Sequence, residues 1–242
     1  MSGVRGAPSA AAQPSFRTAL AVQLRIIGAL TMREIHTRYA RENIGFIWLV
    51  GEPILFTFGV ITIRTFLPFF PHEQHGMSLV GFLMTGYMPF LLYRHMISRS
   101  INCIRDNHSV LYHRQIRIID IYLSRLLLEA AGTVIAFIFG CTLFIAVGLM
   151  GWPQNLLLLY AGWLYAIWFC GALAIFFGAA SEISSLVDKL YNPFSYLSLP
   201  ISGAFYMVAW LPSSWQHVAL AIPLVHFFEM IRGGYFGATV TV

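Results

Sequence analysis

Residues 156–178, LLLLYAGWLYAIWFCGALAIFFG, contain no charged side chain. A membrane-crossing helix needs about 20 apolar residues in a row, and this run supplies them. A barrel strand would alternate polar and apolar positions instead. Outward from this run, further apolar stretches occupy roughly 44–66, 79–98, 126–150 and 194–211. The composition of the whole chain agrees. Of its 242 residues 58% are hydrophobic and 10% are charged, and the mean hydropathy is +0.71. Soluble domains carry about a quarter charged residues, so lipid must cover much of this surface. The sequence therefore predicts an all-α, polytopic integral membrane protein with five transmembrane helices, because a helix satisfies its backbone groups within its own segment.

The net charge is +5 and the isoelectric point about 9.3. In a soluble protein this would suggest nucleic acid. In a membrane protein the placement of the cations matters more, and no nucleic-acid partner is implied. Arg5, Arg17, Arg25, Arg33, Arg38 and Arg41 precede the first apolar stretch, and Arg94, Arg99, Arg105, Arg114, Arg117 and Arg125 crowd the connection between the second and third. The loops FPHEQHGM and GWPQN contain no Lys or Arg, and the one lysine, Lys189, falls in the next inside loop. This pattern puts the N-terminus and the 94–125 connection in the cytoplasm.

Residues 1–15, MSGVRGAPSAAAQPS, read as a disordered cytoplasmic tail, and they lack the apolar core of a secretory signal. Residues 16–242 read as a single transmembrane domain. Residues 16–41 are amphipathic. At about 100° per residue, Arg25, Arg33 and His36 fall within an arc of roughly 80°, with Phe16, Leu20, Leu24, Ile27 and Leu30 opposite. That is the pattern of a helix lying in the inner interface, its cations towards anionic headgroups. Spans occupy 44–211. Residues 213–237 hold an apolar part too short for an ordinary span. They read as a re-entrant outer helical segment or a poor sixth span.

No motif in the chain supplies catalysis. GGYFG at 233–237 lacks the Lys-Ser/Thr of a phosphate loop. HEQH at 72–75 is one residue short of the helical zinc-protease spacing. Cys103, Cys141 and Cys170 suggest neither a disulfide framework nor a zinc site. The expectation is no catalytic residue, no metal site and no cofactor bound by this chain. Charges within spans default to functional roles, because lipid makes them costly. Glu52 lies about 12 Å into the first span on a 1.5 Å rise, and Pro53 after it kinks the helix. Arg64, Arg94 and Arg99 sit near span ends and can snorkel. Glu129 can pair with Arg125 four residues earlier.

MREIHTRYARENIGFIWLVGEPI resembles the entry segment of ABC transporter permeases of the polysaccharide-export class. The likeness lies in Arg38-Tyr39, in the Gly45 to Trp48 element and in Pro53. NHSVLYHRQIRIIDIYLSRLLLE looks like the connection that carries the first coupling helix of that class. LPISGAFYMVAWLP and PLVHFFEMIRGGYFG resemble its fifth span and its re-entrant outer helices. Within the class, the closest likeness is to inner-membrane permeases of capsular-polysaccharide exporters. O-antigen and teichoic-acid permeases are near neighbours. The class has a sixth span that this sequence does not contain, and the topology favours an incomplete sequence.

The resemblance implies a multi-pass protein of the bacterial inner membrane that moves a lipid-linked polysaccharide outward. It implies a homodimer above two copies of an ATP-binding cassette subunit, with ATP and Mg2+ bound by that subunit. Periplasmic and outer-membrane polysaccharide export proteins would be further partners. Trp48, Glu52, Phe56, Tyr196, Phe205 and Tyr206 would line or gate the channel. Asn107, Leu111, Tyr112, Arg114 and Arg117 would couple to the ATPase. Arg25, Arg33, Arg38, Arg41, Arg94 and Arg99 would meet an acidic lipid terminus, or else serve only topology and headgroup binding. A self-sufficient channel and an intramembrane glycolipid enzyme are the competing functional classes.

Overall fold

A computed structural model of the chain describes residues 15–39, 51–52, 54–60, 62, 77–112 and 116–237, with backbone only for 38 and 39. The regular elements among them are helical. They are α1 (Phe16–Tyr39), α2 (Leu79–Ser100), α3 (Cys103–Asp106), α4 (Ile118–Ala146), α5 (Leu156–Ile183), α6 (Ser185–Ile201), α7 (Ser213–Leu220) and α8 (Pro223–Phe236). Residues 54–60 of the first expected span are helical as well.

Local chemistry sets the ends of these helices. Ser78 caps α2 by accepting from the Gly81 N–H at 3.2 Å, and Asn155 caps α5 by accepting from Leu158 at 3.1 Å. Both satisfy amide donors that a helix start leaves orphaned. Pro223 opens α8, where a missing N–H costs nothing. Gly237, at φ 86, ends it.

Helix α2 runs through the middle of the bundle, packed by α4, α5 and α8. Met84, Met88, Leu92, Met96 and Ile97 along it are fully buried. Helices α5 and α8 meet backbone to backbone. A Cβ on Gly162 would lie 3.0 Å from the Ile231 nitrogen, and one on Gly234 would lie 2.4 Å from the Leu159 nitrogen. Lipid gives helices no hydrophobic reason to associate, so such small-residue contacts carry the packing.

Helices α4 and α5 are long and apolar enough to cross a membrane, with mean hydropathies of 2.0 and 1.8. Their outer faces are apolar as well: Leu127, Ile135, Ile138 and Phe139 on α4, and Leu164, Trp168 and Phe176 on α5, are all exposed. Continuous apolar surface on this scale needs a nonaqueous neighbour.

Three boundaries differ from the sequence expectation. The third apolar stretch was expected to begin at 126, but α4 begins at Ile118, because the charges of its first turns find partners on other helices. The connection after α2 shrinks accordingly from 94–125 to residues 101–117. Residues 194–211 were expected as one span, yet α6 stops at Ile201 and a 3-10 turn follows at Val208–Trp210. Gly203, at φ 89, turns the chain out of the helix between them. The segment 213–237 is two helices of eight and fourteen residues, about 12 and 21 Å long, neither of which reaches across a bilayer core of about 30 Å.

Candidate functional site

One group of expected path residues does come together. The Tyr87 hydroxyl donates to Glu52 Oε1 at 3.3 Å. Phe56, one turn beyond Glu52, stacks on Tyr87 with ring centroids 4.0 Å apart and planes 11° from parallel. Phe205 approaches Phe56 at 6.1 Å. The carboxylate therefore has a partner in its own chain. Arg94 donates to the Tyr196 hydroxyl, and its guanidinium carbon lies 4.3 Å from that ring's centroid. Both groups are near enough to Tyr87 to act on it electrostatically. Arg94, expected as a lipid-terminus contact, thus belongs with the aromatic group. Tyr206 stands apart, with its hydroxyl on the Ile201 carbonyl at 3.0 Å. Trp48, Pro53 and Arg64 lie outside the described residues.

A second assembly gathers at the arginine-rich end. Helix α1 docks on α4 through its second half. Ile27 is buried, and Leu30 packs with Cys103, Ile121 and Tyr122. Phe16, Leu20 and Leu24, expected on the same apolar face, are exposed. The face is therefore divided: its first half is uncovered and its second half is a protein contact. Polar pairs frame that contact. Gln23 Nε2 donates to Asp120 Oδ1, Arg33 Nη1 donates to Asn107 Oδ1 at 3.1 Å, and Glu34 meets Arg125 Nε at 3.3 Å.

Arg125 also reaches Asp106 at 3.5 Å and donates to the Arg99 carbonyl at 2.7 Å. The expected Arg125–Glu129 pair is not formed. Glu129 faces His95 at 3.9 Å and Arg99 at 3.8 Å. Spacing of four residues brought Arg125 and Glu129 to one helix side, but acids and bases from other elements offered closer geometry. Arg105 completes the set, bonding the Ser181 carbonyl at 3.2 Å and Glu182 at 3.7 Å.

The segment expected to hold a coupling helix is a 3-10 turn over His108–Tyr112. Its residues divide sharply. Asn107 is buried and its amide donates to the Cys103 carbonyl at 3.0 Å. Leu111 packs into the Leu30–Cys103–Ile121 cluster. Tyr112 is 81% exposed. Arg117 is exposed and its backbone N–H donates to Asp120 at 3.0 Å. Arg25 is exposed. The Arg38 side chain, Arg41, Arg114 and the HEQH run at 72–75 lie outside the described residues. Burial pushes the Cys103 thiol up to about 11, against a lowering pull from Arg125. Among the described residues no cluster of His, Cys, Asp or Glu has metal-site composition.

A third site was invisible as such in the sequence. Arg232 on α8 is 0% exposed. Its Nη1 donates to the carbonyls of Gly203 at 2.7 Å and Tyr206 at 2.5 Å, and its Nη2 donates to the Ala204 carbonyl. Glu229, one turn earlier, accepts from the Val208 N–H at 3.0 Å. The available signal was a Glu-x-x-Arg pair in an apolar helix, together with a Pro-Gly-interrupted stretch needing partners.

Comparison with known proteins places this architecture. The family model for the ABC-2 type transporter matches residues 25–236. The chain is similar to the capsule polysaccharide export inner-membrane protein BexB of Haemophilus influenzae, 39% identical over 94% of this chain and 85% of that protein. It is equally similar to the capsule polysaccharide export inner-membrane protein CtrC of Neisseria meningitidis serogroup B, 39% identical over 93% of this chain and 84% of that one. The polysialic acid transport protein KpsM of Escherichia coli is 28% identical over 89% of this chain and 83% of its own length. A match this extensive, on an all-helical frame with two strongly apolar long helices, means that the chain belongs to the ABC-2 type transporter family.

Proposed function

We propose that this chain is the membrane subunit of an ATP-driven exporter that carries a lipid-linked capsular polysaccharide outward across the bacterial inner membrane. The observation that carries this reading is 38–39% identity, over nearly the whole chain, to relatives named for capsule polysaccharide export. The arginine-rich end is the cytoplasmic one. There the 101–117 connection, tied to α1, α4 and α5, presents Tyr112 to an ATP-binding subunit that holds ATP and Mg2+. Two copies of this chain enclose the path. The group built by Glu52, Phe56, Tyr87, Arg94, Tyr196 and Phe205 faces it, because stacked aromatic rings suit the C–H faces of sugars and the half-buried Glu52 carboxylate is bonded by Tyr87. Five helices cross the membrane, and α7 with α8 enters and leaves on the outer side.

The reading is tested by co-expressing the chain with its ATP-binding subunit, purifying the complex and identifying the co-purified glycolipid by mass spectrometry. A capsular glycan on an acidic lipid is expected. An O-antigen or teichoic-acid glycolipid would move the chain to a neighbouring substrate class, and ATP-independent solute flux through the chain alone would make it a channel. Topology is tested separately. Cysteines at Ser213 and Thr239 both label from outside if the segment between them is re-entrant, and from opposite sides if it spans.

A further inference from the structure

The unwound turn between α6 and the 3-10 turn at Val208 is a costly piece of backbone. Ser202, Ala204, Met207 and Val208 are all buried, and the chain there makes no continuous helix. Non-helical backbone at membrane depth needs partners for its peptide groups. Two residues of α8 supply them. Arg232 takes three carbonyls, and Glu229 takes one N–H. Three apart in a helix, they lie on one face. Among the described residues Arg232 makes no carboxylate contact at ion-pair distance; three carbonyl dipoles bond its charge directly, and the Glu229 carboxylate acts on it from further off. Its guanidinium also lies 4.2 Å over the Phe82 ring of α2. From the same helix, Gly86 leaves room: a Cβ there would sit 2.1 Å from the Ala204 oxygen and 2.8 Å from Arg232 Nη2.

We propose that Glu229 and Arg232 form a clip that sets the position of Phe205 and Tyr206, making both residues of this clip positioning residues for the outer part of the path. The carbonyls of 203, 204 and 206 converge on one cation, and residue 205 is the one left out. Its ring is the one that reaches Phe56. The Arg fork is essential, since its planar donors diverge towards several acceptors, whereas a lysine offers donors from a single nitrogen. That this matters for transport rests on the exporter reading; the geometry of the clip does not.

The test measures the turn directly. In the full chain, assembled with its ATP-binding subunit in native membranes, Phe56→Cys and Phe205→Cys are introduced together and the rate of oxidative cross-linking is read. Capsule export is read in parallel in chains that keep both phenylalanines. Arg232→Met is expected to slow cross-linking and lower export at least about tenfold, from the loss of three hydrogen bonds to a charged donor. Arg232→Lys falls between the two. Gly86→Ala, which pushes on the same turn without altering charge, gives the same slowing. Glu229→Gln keeps an acceptor oxygen and rescues, whereas Glu229→Leu does not. The Gly86 and Glu229 variants carry the test if Arg232→Met fails to fold, as judged by recovery of the complex. Cross-linking at the parent rate in folded Arg232→Lys, Gly86→Ala and Glu229→Leu overturns the clip. Slowed cross-linking in these variants, with a parent chain that exports no glycan, supports the clip and overturns the exporter reading.

Discussion

Arg125 and Arg232 are both buried guanidiniums, set in opposite halves of the bundle, and different groups satisfy them. Arg125 meets two carboxylates from separate elements, Glu34 of α1 and Asp106 of α3, and one carbonyl. Arg232 meets three carbonyls of one broken stretch and no carboxylate within ion-pair distance among the described residues. The surroundings account for the difference. Beside Arg125, Asp106 is largely exposed, so water shares the cost of the charges and the pairs can exchange. Arg232 is wholly buried, and the nearby carboxylate, Glu229, is held by the Val208 N–H rather than in a direct ion pair. Backbone dipoles of the unwound turn therefore make the direct contacts to the guanidinium.

The comparison can be broken most decisively at Arg232. Arg232→Met leaves three carbonyls unpaired, and a loss of about 4 kcal/mol is expected from the cost of unsatisfied buried groups. Thermal unfolding of the detergent-solubilised complex measures it. Arg125→Met should cost less, about 2 kcal/mol, because the largely exposed Asp106 can rehydrate. It should also flatten the dependence of stability on salt, which screens the Arg125 cluster and leaves Arg232 untouched. Equal salt slopes in parent and Arg125→Met would remove the distinction drawn here.

Smaller effects sharpen the picture of the arginine-rich end. Leu111→Asp buries a charge in the Leu30–Cys103–Ile121 cluster, and a loss of about 1–2 kcal/mol is expected. Tyr112→Asp lies on exposed surface and should change stability by less than about 0.5 kcal/mol. It should still uncouple ATP hydrolysis from export, and intact coupling would remove Tyr112 from the contact with the ATP-binding subunit. The least effect is expected at Cys103. With its thiol up at about 11 and no exposure, it should resist maleimide at pH 7.5, since only the thiolate reacts. Labelling should appear only as pH approaches 11, or when ATP turnover opens the cluster around it.

Much of the frame was legible without coordinates because membrane helices are specified locally. The 156–178 run becomes α5 with only small changes at its end, since hydrophobic length alone decides it. The capped starts at Ser78 and Asn155 are likewise written within three residues. The sequence located Glu52, Phe56 and Phe205 as special but could not say that Tyr87 joins them. It marked Asn107 to Arg117 as one docking element, whereas the fold turns Asn107 and Leu111 inward and Tyr112 outward. It treated residues 194–211 as one span because composition there is apolar throughout, and composition does not reveal that an arginine on another helix makes a break affordable.

The sequence by itself determined that the chain is an all-helical membrane protein and where most helices lie, because apolar run length, caps and prolines act over a few residues. Only the tertiary structure decided who partners whom. Gln23 finds Asp120 across 97 positions, Arg33 finds Asn107 across 74, and Arg94 finds Tyr196 across 102. Charged groups in a bundle go wherever folding brings the best compensating group, and that choice depends on the packing of helices far apart in the chain. The Arg232 clip shows the same principle at depth: a cation and a broken backbone, each costly alone, are stable only together.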